Sequence, residues 1–259
     1  MNSFCYKNGM KKIFVILGCL MLGACAHKNP LSDMTFQTTA APPHVIASWY
    51  KITARGEPIK IYVEGDGAAF DAYHRPTDNP TPHSEFMRVL AAGDPSPNVA
   101  YLGRPCQYLQ TSACSEKDWT TGRFSKANID SMDVAVKALM KKARTDKVIL
   151  IGFSGGAQVT GQIAARHKEQ VKKWVTIAGV LDINAWTNYH GDTPLKESLN
   201  LDKKQVKNIN QIHYAGAKDD IVPPELIVDF AGADKVVIVK KAGHGDGFES
   251  VYPEIYEVK

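Results

Sequence analysis

Three residues that could carry acyl-transfer chemistry occur along the chain in the order serine, aspartate, histidine. Ser154 stands between glycines in "GFSGGA", Asp219 lies in "YAGAKDDIVPP", and His244 lies in "KKAGHGDGF". A serine hydroxyl is a weak nucleophile until a neighbouring base removes its proton, and a histidine oriented by a carboxylate can serve as that base. The residue types and their order therefore predict a nucleophile, a base and an orienting acid.

The residues around Ser154 place it at a turn from a strand to a helix. The apolar run "VILIGF" predicts a buried strand, and "GGAQVTGQIAAR" predicts a helix with small residues for close packing. The Gly-x-Ser-x-Gly pattern alone is weak evidence, because a glycine-rich connection without chemistry has the same letters. If Ser154 is a nucleophile, the backbone N–H of Gly155 at the helix start is one oxyanion donor.

A second oxyanion donor is expected from the turn after an earlier strand. "YVEGDGAAF" follows such a strand and has glycines that permit a tight backbone, so the backbone N–H of Asp66 is the candidate. We expect the Asp66 carboxylate to point away, since a negative charge beside a developing oxyanion is unfavourable. The alternative is that Asp66 only closes a turn.

Apolar runs alternate with helical patterns over most of the chain. Six of these runs end in glycine or turn residues, as buried parallel strands do: "IKIYVEG", "NVAYLG", "KVILIG", "KWVTIAG", "QIHYAG" and "KVVIVKKAG". A helix capped by Ser125 is expected between the second and third runs. The pattern predicts an α/β fold with a mostly parallel, doubly wound sheet, helices on both faces and a small lid or insert region. "ASWYKITARGE" adds a leading antiparallel strand.

Several residues in the connecting loops have two interpretations. Arg104 follows a strand end, and it either meets an anionic group of a substrate or forms a buried structural ion pair. Residues 66–97 are rich in proline and are expected to shape the pocket. The aromatic residues that either cover the site or pack in the core are Trp119, Trp186, Tyr189 and His190.

The first 25 residues have the pattern of an export signal that ends in a lipidation site. Three lysines precede the apolar run "IFVILGCLMLGAC", which is shorter than the about 20 residues that cross a bilayer. "LGAC" resembles the lipobox of bacterial lipoproteins, which implies cleavage before Cys25 and acylation of its thiol. Ala26 then favours the outer membrane, facing the periplasm. The alternative is an ordinary cleaved signal and an incidental cysteine.

These features predict a signal peptide at residues 1–24, a lipidated tether at 25–44 and one domain at 45–259. The whole chain has 31 basic and 27 acidic residues, which give a formal charge of +4. Residues 1–24 hold three of the lysines and none of the acids, so the mature chain would have a charge of about +1. Nucleic acid is not an expected partner, because the chain has no basic stripe. The oligomeric state is left open.

Cys106 and Cys114 remain in the mature domain after the signal is removed. An exported chain meets an oxidising compartment, so these two cysteines are expected to form a disulfide. The alternative is two unrelated thiols. A zinc site is not expected, because no second Cys/His pair lies at ligand spacing.

Several segments together resemble a group of bacterial, often lipoprotein-like α/β-hydrolases. They include "EGDG", "NPTPHSEFMRVLAAGDPSPNVAYLGRPCQY", "CSEKDWTTGRF", "GFSGGA" and "TIAGVLDINAWTNYHGDTPLKESLN". The resemblance covers most of residues 45–250 and implies a serine hydrolase, but it does not indicate a substrate. It also favours Asp219 over Asp220 as the acid, because the family pattern G-x-x-D-x-x-V-P is matched by Gly216, Asp219, Val222 and Pro223.

With that resemblance, the residues predict an envelope-anchored serine hydrolase that cleaves an ester-type bond through an acyl-enzyme. The expected partners are a small-molecule or lipid-like ester substrate and, through the lipid anchor, a membrane. No metal or organic cofactor is expected. A peptidase, a thioesterase or an acyltransferase would use the same three residues. From a different class, a catalytically silent envelope-binding lipoprotein could retain the fold.

Overall fold

The computed structural model describes residues 29–258. The expected signal peptide at 1–24 and the expected lipidation site at Cys25 lie outside the described residues. Within the described part of the chain, no helix combines the length and the apolar character needed to cross a membrane.

One eight-stranded sheet forms the centre of the molecule. The strands lie side by side in the order β1-β2-β4-β3-β5-β6-β7-β8. The first two pairings, β1 with β2 and β2 with β4, are antiparallel, and all later pairings are parallel. The strands β1 to β8 are Thr35–Ala41, His44–Ile52, Ile59–Val63, Asn98–Leu102, Val148–Phe153, Val171–Ile177, Gln211–Gly216 and Val236–Val239. The predicted α/β fold with a mostly parallel sheet is confirmed.

Seven α-helices cover the described sheet. The helices α1 to α7 are Phe86–Gly93, Lys126–Ala143, Gly155–Arg166, Ile183–His190, Lys203–Val206, Pro224–Ala231 and Tyr252–Glu257. The described residues also form four short 3₁₀ turns, at Pro30–Asp33, Glu116–Asp118, Ala233–Lys235 and Glu249–Val251.

Both faces of the sheet are buried, because helices pack on each of them. In β3, Ile61 lies in the core cluster formed with α2 and α3, whereas its neighbour Tyr62 lies in the cluster formed with α1 and α7. Strands buried on both faces read as continuous apolar runs rather than alternating ones. This explains why the apolar runs in the sequence predict the central strands.

The predicted helix after Ser125 is α2. The hydroxyl oxygen of Ser125 accepts a hydrogen bond from the backbone N–H of Asn128 at 3.2 Å, which satisfies one of the free donors of the first turn. The helix ends at Arg144, which adopts the left-handed conformation at φ 55°.

The tether prediction is wrong from Pro30 onward, because Pro30–Asp33 forms a 3₁₀ turn whose Leu31 is buried in the core. Thr35–Ala41 forms the edge strand β1 and pairs with β2 across a turn at Pro42 and Pro43. An edge strand has one side open to solvent, so its polar threonines are compatible with a strand and its pattern is not that of a buried run. The folded domain therefore begins before residue 45.

Candidate active site

Ser154 occupies the sharp turn between β5 and α3. Its backbone lies at φ 50° and ψ −122°, a conformation that L-residues rarely adopt. The turn is held by the end of β6 and the loop after it. The N–H of Ser154 donates to the carbonyl of Ile177 at 3.1 Å, and the N–H of Val180 donates to the carbonyl of Ser154 at 3.0 Å. This geometry raises the serine side chain at the carboxyl end of the sheet.

The glycine at 156 is needed because strand and helix approach closely here. A Cβ atom at Gly156 would lie 2.5 Å from the carbonyl oxygens of both Val63 and Glu64. These carbonyls belong to the end of β3 and the turn after it. The spacing of the Gly-x-Ser-x-Gly pattern therefore follows from the packing of α3 against β3.

His244 places a ring nitrogen beside the serine hydroxyl. Its Nε2 lies 2.9 Å from Oγ of Ser154. The imidazole side chain is 18 % exposed, and its ring lies 5.1 Å from the ring of Phe153. Ser154 itself is 9 % exposed. The hydroxyl is therefore sheltered and lies at hydrogen-bonding distance from an imidazole nitrogen.

Asp219 holds the other side of the histidine ring. Its Oδ2 lies 2.9 Å from Nδ1 of His244, and its side chain is fully buried. Its Oδ1 also accepts backbone hydrogen bonds from Ile221 at 2.9 Å and Val222 at 2.8 Å. These bonds fix the carboxylate against Nδ1 of His244, so that Nε2 is the ring nitrogen that faces Ser154. Asp220 is exposed.

Neighbouring strands bring Asp219 and His244 together. Asp219 follows β7 and His244 follows β8, and these strands are parallel neighbours. Backbone hydrogen bonds also join the two loops. The N–H of Ala217 donates to the carbonyl of Val239 at 3.0 Å, and the N–H of Lys218 donates to the carbonyl of Ala242 at 2.9 Å. The structure thus brings the three sequence-predicted residues together.

The two residues whose N–H groups are the expected oxyanion donors, Gly155 and Asp66, lie next to each other. Gly155 is the first residue of α3, where the backbone N–H groups have no carbonyl partner one turn earlier in the helix. Asp66 follows β3, and its carboxylate lies against Gly155, because a side chain at Gly155 would overlap Asp66 Oδ1. The expectation that the carboxylate points away from this region is therefore wrong.

Two arginines neutralise the Asp66 carboxylate. Arg104 bonds to Oδ1 through Nη1, and Arg123 bonds to Oδ2 through Nη1 at 2.9 Å. Arg104 also donates from Nη2 to the backbone carbonyl of Arg123 at 2.7 Å. Burial by itself raises the pKa of Asp66, but the positive charges of Arg123 and Arg104 outweigh it and hold the pKa below its usual value. Of the two interpretations of Arg104, the structure shows the buried ion pair.

The peptide group that carries the Asp66 N–H is held from its other side. The side-chain amide of Gln107 donates from Nε2 to the carbonyl oxygen of Gly65 at 2.9 Å, and its Oε1 accepts from the backbone N–H of Arg104 at 2.8 Å. Gly65 also donates its own N–H to Oε1 of Glu64 at 3.0 Å. Burial raises the pKa of that glutamate. Both peptide units of Gly65 are therefore oriented by buried side chains.

Cys106 and Cys114 form the predicted disulfide, with their Cα atoms 5.8 Å apart. The bond closes the loop that carries Gln107. Cys106 is 1 % exposed, whereas Cys114 is half-buried. The disulfide therefore constrains the loop that supports the Gly65–Asp66 peptide.

The four predicted covering residues have three different surroundings. Trp119 packs in the small cluster with Cys106, as a core residue does. Trp186 and His190 lie on α4, and both approach the carbonyl oxygen of Ile221, at 2.7 Å from Nε1 and 2.9 Å from Nε2 respectively. They therefore tie α4 to the loop that contains Asp219. Tyr189 is 54 % exposed.

Sequence reasoning did not identify Gln107 and Arg123. Neither follows a strand directly, and neither belongs to a short motif. Arg123 lies in a turn before α2, and its guanidinium reaches Asp66 only because the chain folds back over the end of β3. The pairing depends on tertiary contacts that leave no spacing signal in the sequence.

Comparison with known proteins gives one family match and a set of solved structures with a similar fold. The family model described as serine hydrolase (FSH1) matches residues 79–244. No curated protein sequence matches the chain. Solved structures that resemble it share little sequence, so they speak for the fold alone.

Three of these structures show the range of proteins with a similar fold. A serine hydrolase without a lid from Xanthomonas campestris is 16 % identical with a TM-score of 0.54, over 86 % of this chain and 90 % of that one. Est1E from Butyrivibrio proteoclasticus, solved with ferulic acid, is 11 % identical with a TM-score of 0.62, over 85 % and 95 %. An acylaminoacyl peptidase from Pyrococcus horikoshii is 15 % identical with a TM-score of 0.58, over 86 % of this chain but 40 % of the peptidase.

Proposed function

The chain belongs to the serine hydrolase (FSH1) family, and from that premise we propose that it hydrolyses carboxylic esters with Ser154 as nucleophile. His244 is the general base and acid, and Asp219 orients it. The observation that carries the proposal is the continuous hydrogen-bonded path from Asp219 through His244 to Ser154, with 2.9 Å at each step.

The first half of the proposed reaction forms an acyl-enzyme. Oγ of Ser154 attacks the carbonyl carbon of the ester while Nε2 of His244 takes the hydroxyl proton. The imidazolium that forms is stabilised by Asp219, whose carboxylate also accepts hydrogen bonds from two backbone N–H groups. His244 then gives the proton to the leaving alcohol.

The tetrahedral intermediate carries a negative charge on the former carbonyl oxygen. We assign its stabilisation to the backbone N–H groups of Gly155 and Asp66, each contributing about 3 kcal/mol by analogy with measured donors. Since a peptide unit is planar and trans, the bond from Gln107 to the Gly65 carbonyl also sets the direction of the Asp66 N–H. The two arginines compensate the charge of the Asp66 side chain in this region.

The second half of the reaction releases the acid. A water molecule takes the place of the alcohol, His244 removes its proton, and the water oxygen attacks the acyl carbon. Collapse of the second intermediate returns the proton to Ser154. These steps need only proton transfer and charge stabilisation by residues already named.

A peptidase is the second candidate, because acylation of Ser154 proceeds in the same way with an amine as leaving group. The structural likeness to the Pyrococcus acylaminoacyl peptidase supports including it. Est1E was solved with ferulic acid, so a feruloyl ester belongs in the same substrate panel. Esters remain the first proposal, since an ester carbonyl is less stabilised by resonance than an amide carbonyl and is attacked more easily.

We further propose that the enzyme acts at the bacterial envelope through a lipid on Cys25. The support is the lysine-rich start, the short apolar run and "LGAC", together with a disulfide suited to an oxidising compartment. Metabolic labelling with a palmitate analogue tests this proposal. Incorporation is expected in the wild type and lost in Cys25→Ala, and absence of incorporation in the wild type would contradict it.

Hydrolysis of short p-nitrophenyl esters tests the proposed reaction. Ser154→Ala is expected to lower the rate by roughly 10⁴-fold or more, whereas Ser112→Ala, at an exposed position in the disulfide loop, should leave it unchanged. Wild-type protein that hydrolyses no ester and no aminoacyl amide would support a silent binding protein. Hydrolysis of amides alone would favour the peptidase.

A further inference from the structure

Two arginines face a single carboxylate beside the proposed nucleophile. Arg104 and Arg123 each form an ion pair with Asp66, through different carboxylate oxygens. Asp66 itself lies against Gly155, the residue next to Ser154. Two positive charges and one negative charge leave these three side chains with a net charge of +1 at the edge of the site.

A second acidic side chain, Glu64, lies near Arg104 but has other partners. Its Oε1 accepts a hydrogen bond from the backbone N–H of Gly65 at 3.0 Å, and its Oε2 accepts one from the hydroxyl of Tyr101. Burial raises the pKa of this carboxyl group, which favours its neutral form. The surplus positive charge therefore stays with the two arginines.

Arg123 has an edge of its guanidinium that Asp66 does not use. The side chain is 7 % exposed, and its hydrogen bond to Asp66 runs through Nη1 at 2.9 Å. Nε is buried and has no hydrogen-bond partner among the residues that the structure describes. A guanidinium can bind a carboxylate through two parallel hydrogen bonds, and Nε and Nη2 form one edge that allows this. Because a buried donor without a partner costs free energy, the unpaired Nε indicates a missing acceptor.

The Arg123 side chain connects the two sides of the candidate active site. On one side it bonds to Asp66, which follows β3. On the other side its guanidinium carbon lies 5.6 Å from the centre of the ring of Trp186, in the helix α4 that follows β6. The strand that leads to Ser154, β5, lies between β3 and β6 in the sheet. The guanidinium is therefore placed beside the turn that carries the nucleophile.

Aromatic rings flank this guanidinium without giving Nε an acceptor. The centres of the rings of Phe70 and Phe124 both lie 5.8 Å from the guanidinium carbon, in addition to the ring of Trp186. Such rings attract a cation through their π faces, so they hold the side chain in place. Phe70 is 41 % exposed, which places this side of the cluster next to solvent.

We propose that Arg123 binds a carboxylate group of the ester substrate, so that the enzyme prefers anionic esters to neutral ones. The inference rests on the proposed ester hydrolysis at Ser154. A carboxylate at the edge formed by Nε and Nη2 gives the unpaired donor its acceptor, neutralises the surplus charge and holds the substrate beside the nucleophile. Contact with an anionic substrate group, one of the two interpretations of Arg104, is thus assigned to the second arginine.

Matched pairs of anionic and neutral esters test this preference, with acid release followed by pH-stat titration. Monomethyl glutarate and its neutral amide, methyl glutaramate, vary the charge on the acyl part. The pair 4-acetoxybutyrate and 4-acetoxybutanamide varies it on the alcohol part. The wild type is expected to show a kcat/KM at least about tenfold higher for the anionic ester of one pair, as for a hydrogen bond to a charged group.

The pair that shows the preference also assigns the carboxylate to the acyl part or to the alcohol part of the substrate. Equal kcat/KM values within both pairs, or a preference for the neutral esters, would overturn the inference while leaving the proposed ester hydrolysis intact. If none of these esters and no p-nitrophenyl ester is hydrolysed, the proposed function fails and this inference fails with it.

Two variants of Arg123 test whether this residue makes the contact. The measured quantity is the ratio of kcat/KM for the anionic ester to that for its neutral partner, because a general loss of activity lowers both values and cancels. Arg123→Gln should bring the ratio close to one. Arg123→Lys should give an intermediate ratio, since an ammonium group keeps the charge but cannot form the two parallel hydrogen bonds.

The matched control is Arg75→Gln, which removes an exposed arginine paired with Asp71 and should keep the wild-type ratio. A wild-type ratio in Arg123→Gln would overturn the proposal. If that variant fails to fold, Arg123→Lys decides the matter, because a ratio unchanged from wild type in the lysine variant is incompatible with a carboxylate bound at two nitrogens of Arg123.

Discussion

Gln107 donates a hydrogen bond to the carbonyl oxygen of Gly65 at 2.9 Å. Because the peptide unit is planar, this single bond sets the direction of the N–H on Asp66, the proposed second oxyanion donor. The amide of Gln107 is itself held by Arg104 and is 2 % exposed. A residue without contact to the nucleophile thus orients a group that is proposed to stabilise the transition state.

Gln107→Ala is expected to lower kcat by roughly tenfold with a smaller change in KM. Removing an oxyanion donor outright costs about 10²- to 10³-fold, and loosening its direction costs less. Steady-state kinetics with p-nitrophenyl acetate measures the change, and Gln110→Ala, which removes an exposed amide bonded to Asp78, is the matched control. A raised KM at constant kcat would place Gln107 in ground-state binding instead.

Asp219→Asn is expected to lower kcat by about 10⁴-fold, because an asparagine side chain stabilises the wrong histidine tautomer and cannot stabilise the imidazolium. Asp220→Asn changes the adjacent exposed carboxylate and should leave kcat near the wild-type value. Comparing the two variants therefore shows which of the two adjacent aspartates orients His244. If Asp220→Asn were the inactive variant, the assignment of Asp219 would be wrong.

Asp66→Ala is expected to destabilise the fold as well as the site. It leaves the buried side chains of Arg104 and Arg123 without their carboxylate, and breaking such a pair costs about 3 kcal/mol. For a domain of this size the loss corresponds to a decrease in Tm of roughly 6–12 °C. Glu197→Ala removes an exposed partner of Lys117 and should leave Tm unchanged. An unchanged Tm in Asp66→Ala would contradict the role given to the arginines.

His213 gives the protein a specific acid sensitivity. Burial lowers its pKa from 6.5 to about 3, and its ring nitrogens lie near Thr176 Oγ1 at 2.8 Å and Gln211 Oε1 at 3.0 Å. In the unfolded chain the His213 imidazole is protonated below pH 6.5, whereas in the folded chain it stays neutral until the pH approaches about 3. Stability from this group is therefore complete above pH 6.5 and falls as the pH decreases toward 3, by up to about 1.4 kcal/mol per unit.

Chemical denaturation between pH 4 and pH 7 measures this effect. His213→Asn should be less stable than wild type at pH 7 but should show a shallower loss on acidification, by about one proton. His83→Asn, at an exposed position, should keep the wild-type slope. An unchanged slope in His213→Asn would contradict the assignment.

The sequence predicted the features that are local in the chain. Ser154, Asp219 and His244 each follow a strand, and parallel strands deliver such residues to one edge, so their convergence could be inferred from order and spacing. Burial on both faces made the central strands visible as apolar runs. The same reasoning failed for β1, since an edge strand rich in threonine has the composition of a polar linker.

Features that depend on distant contacts could not be predicted. Gln107 and Arg123 meet the turn after β3 through irregular loops, which impose no periodicity. His44 was assigned to the tether, yet the strand pairing buries it beside Cys106. In each case the relevant partner lies far away in sequence, and only the folded chain brings the two together.

Labelling with a fluorophosphonate probe, followed by identification of the modified peptide, tests the central proposal most directly. The account predicts one modified residue, Ser154, in wild-type protein at neutral pH, no labelling of Ser154→Ala, and normal labelling of Ser112→Ala. Labelling that persists in Ser154→Ala, or a wild-type protein that hydrolyses esters without reacting at Ser154, would contradict it.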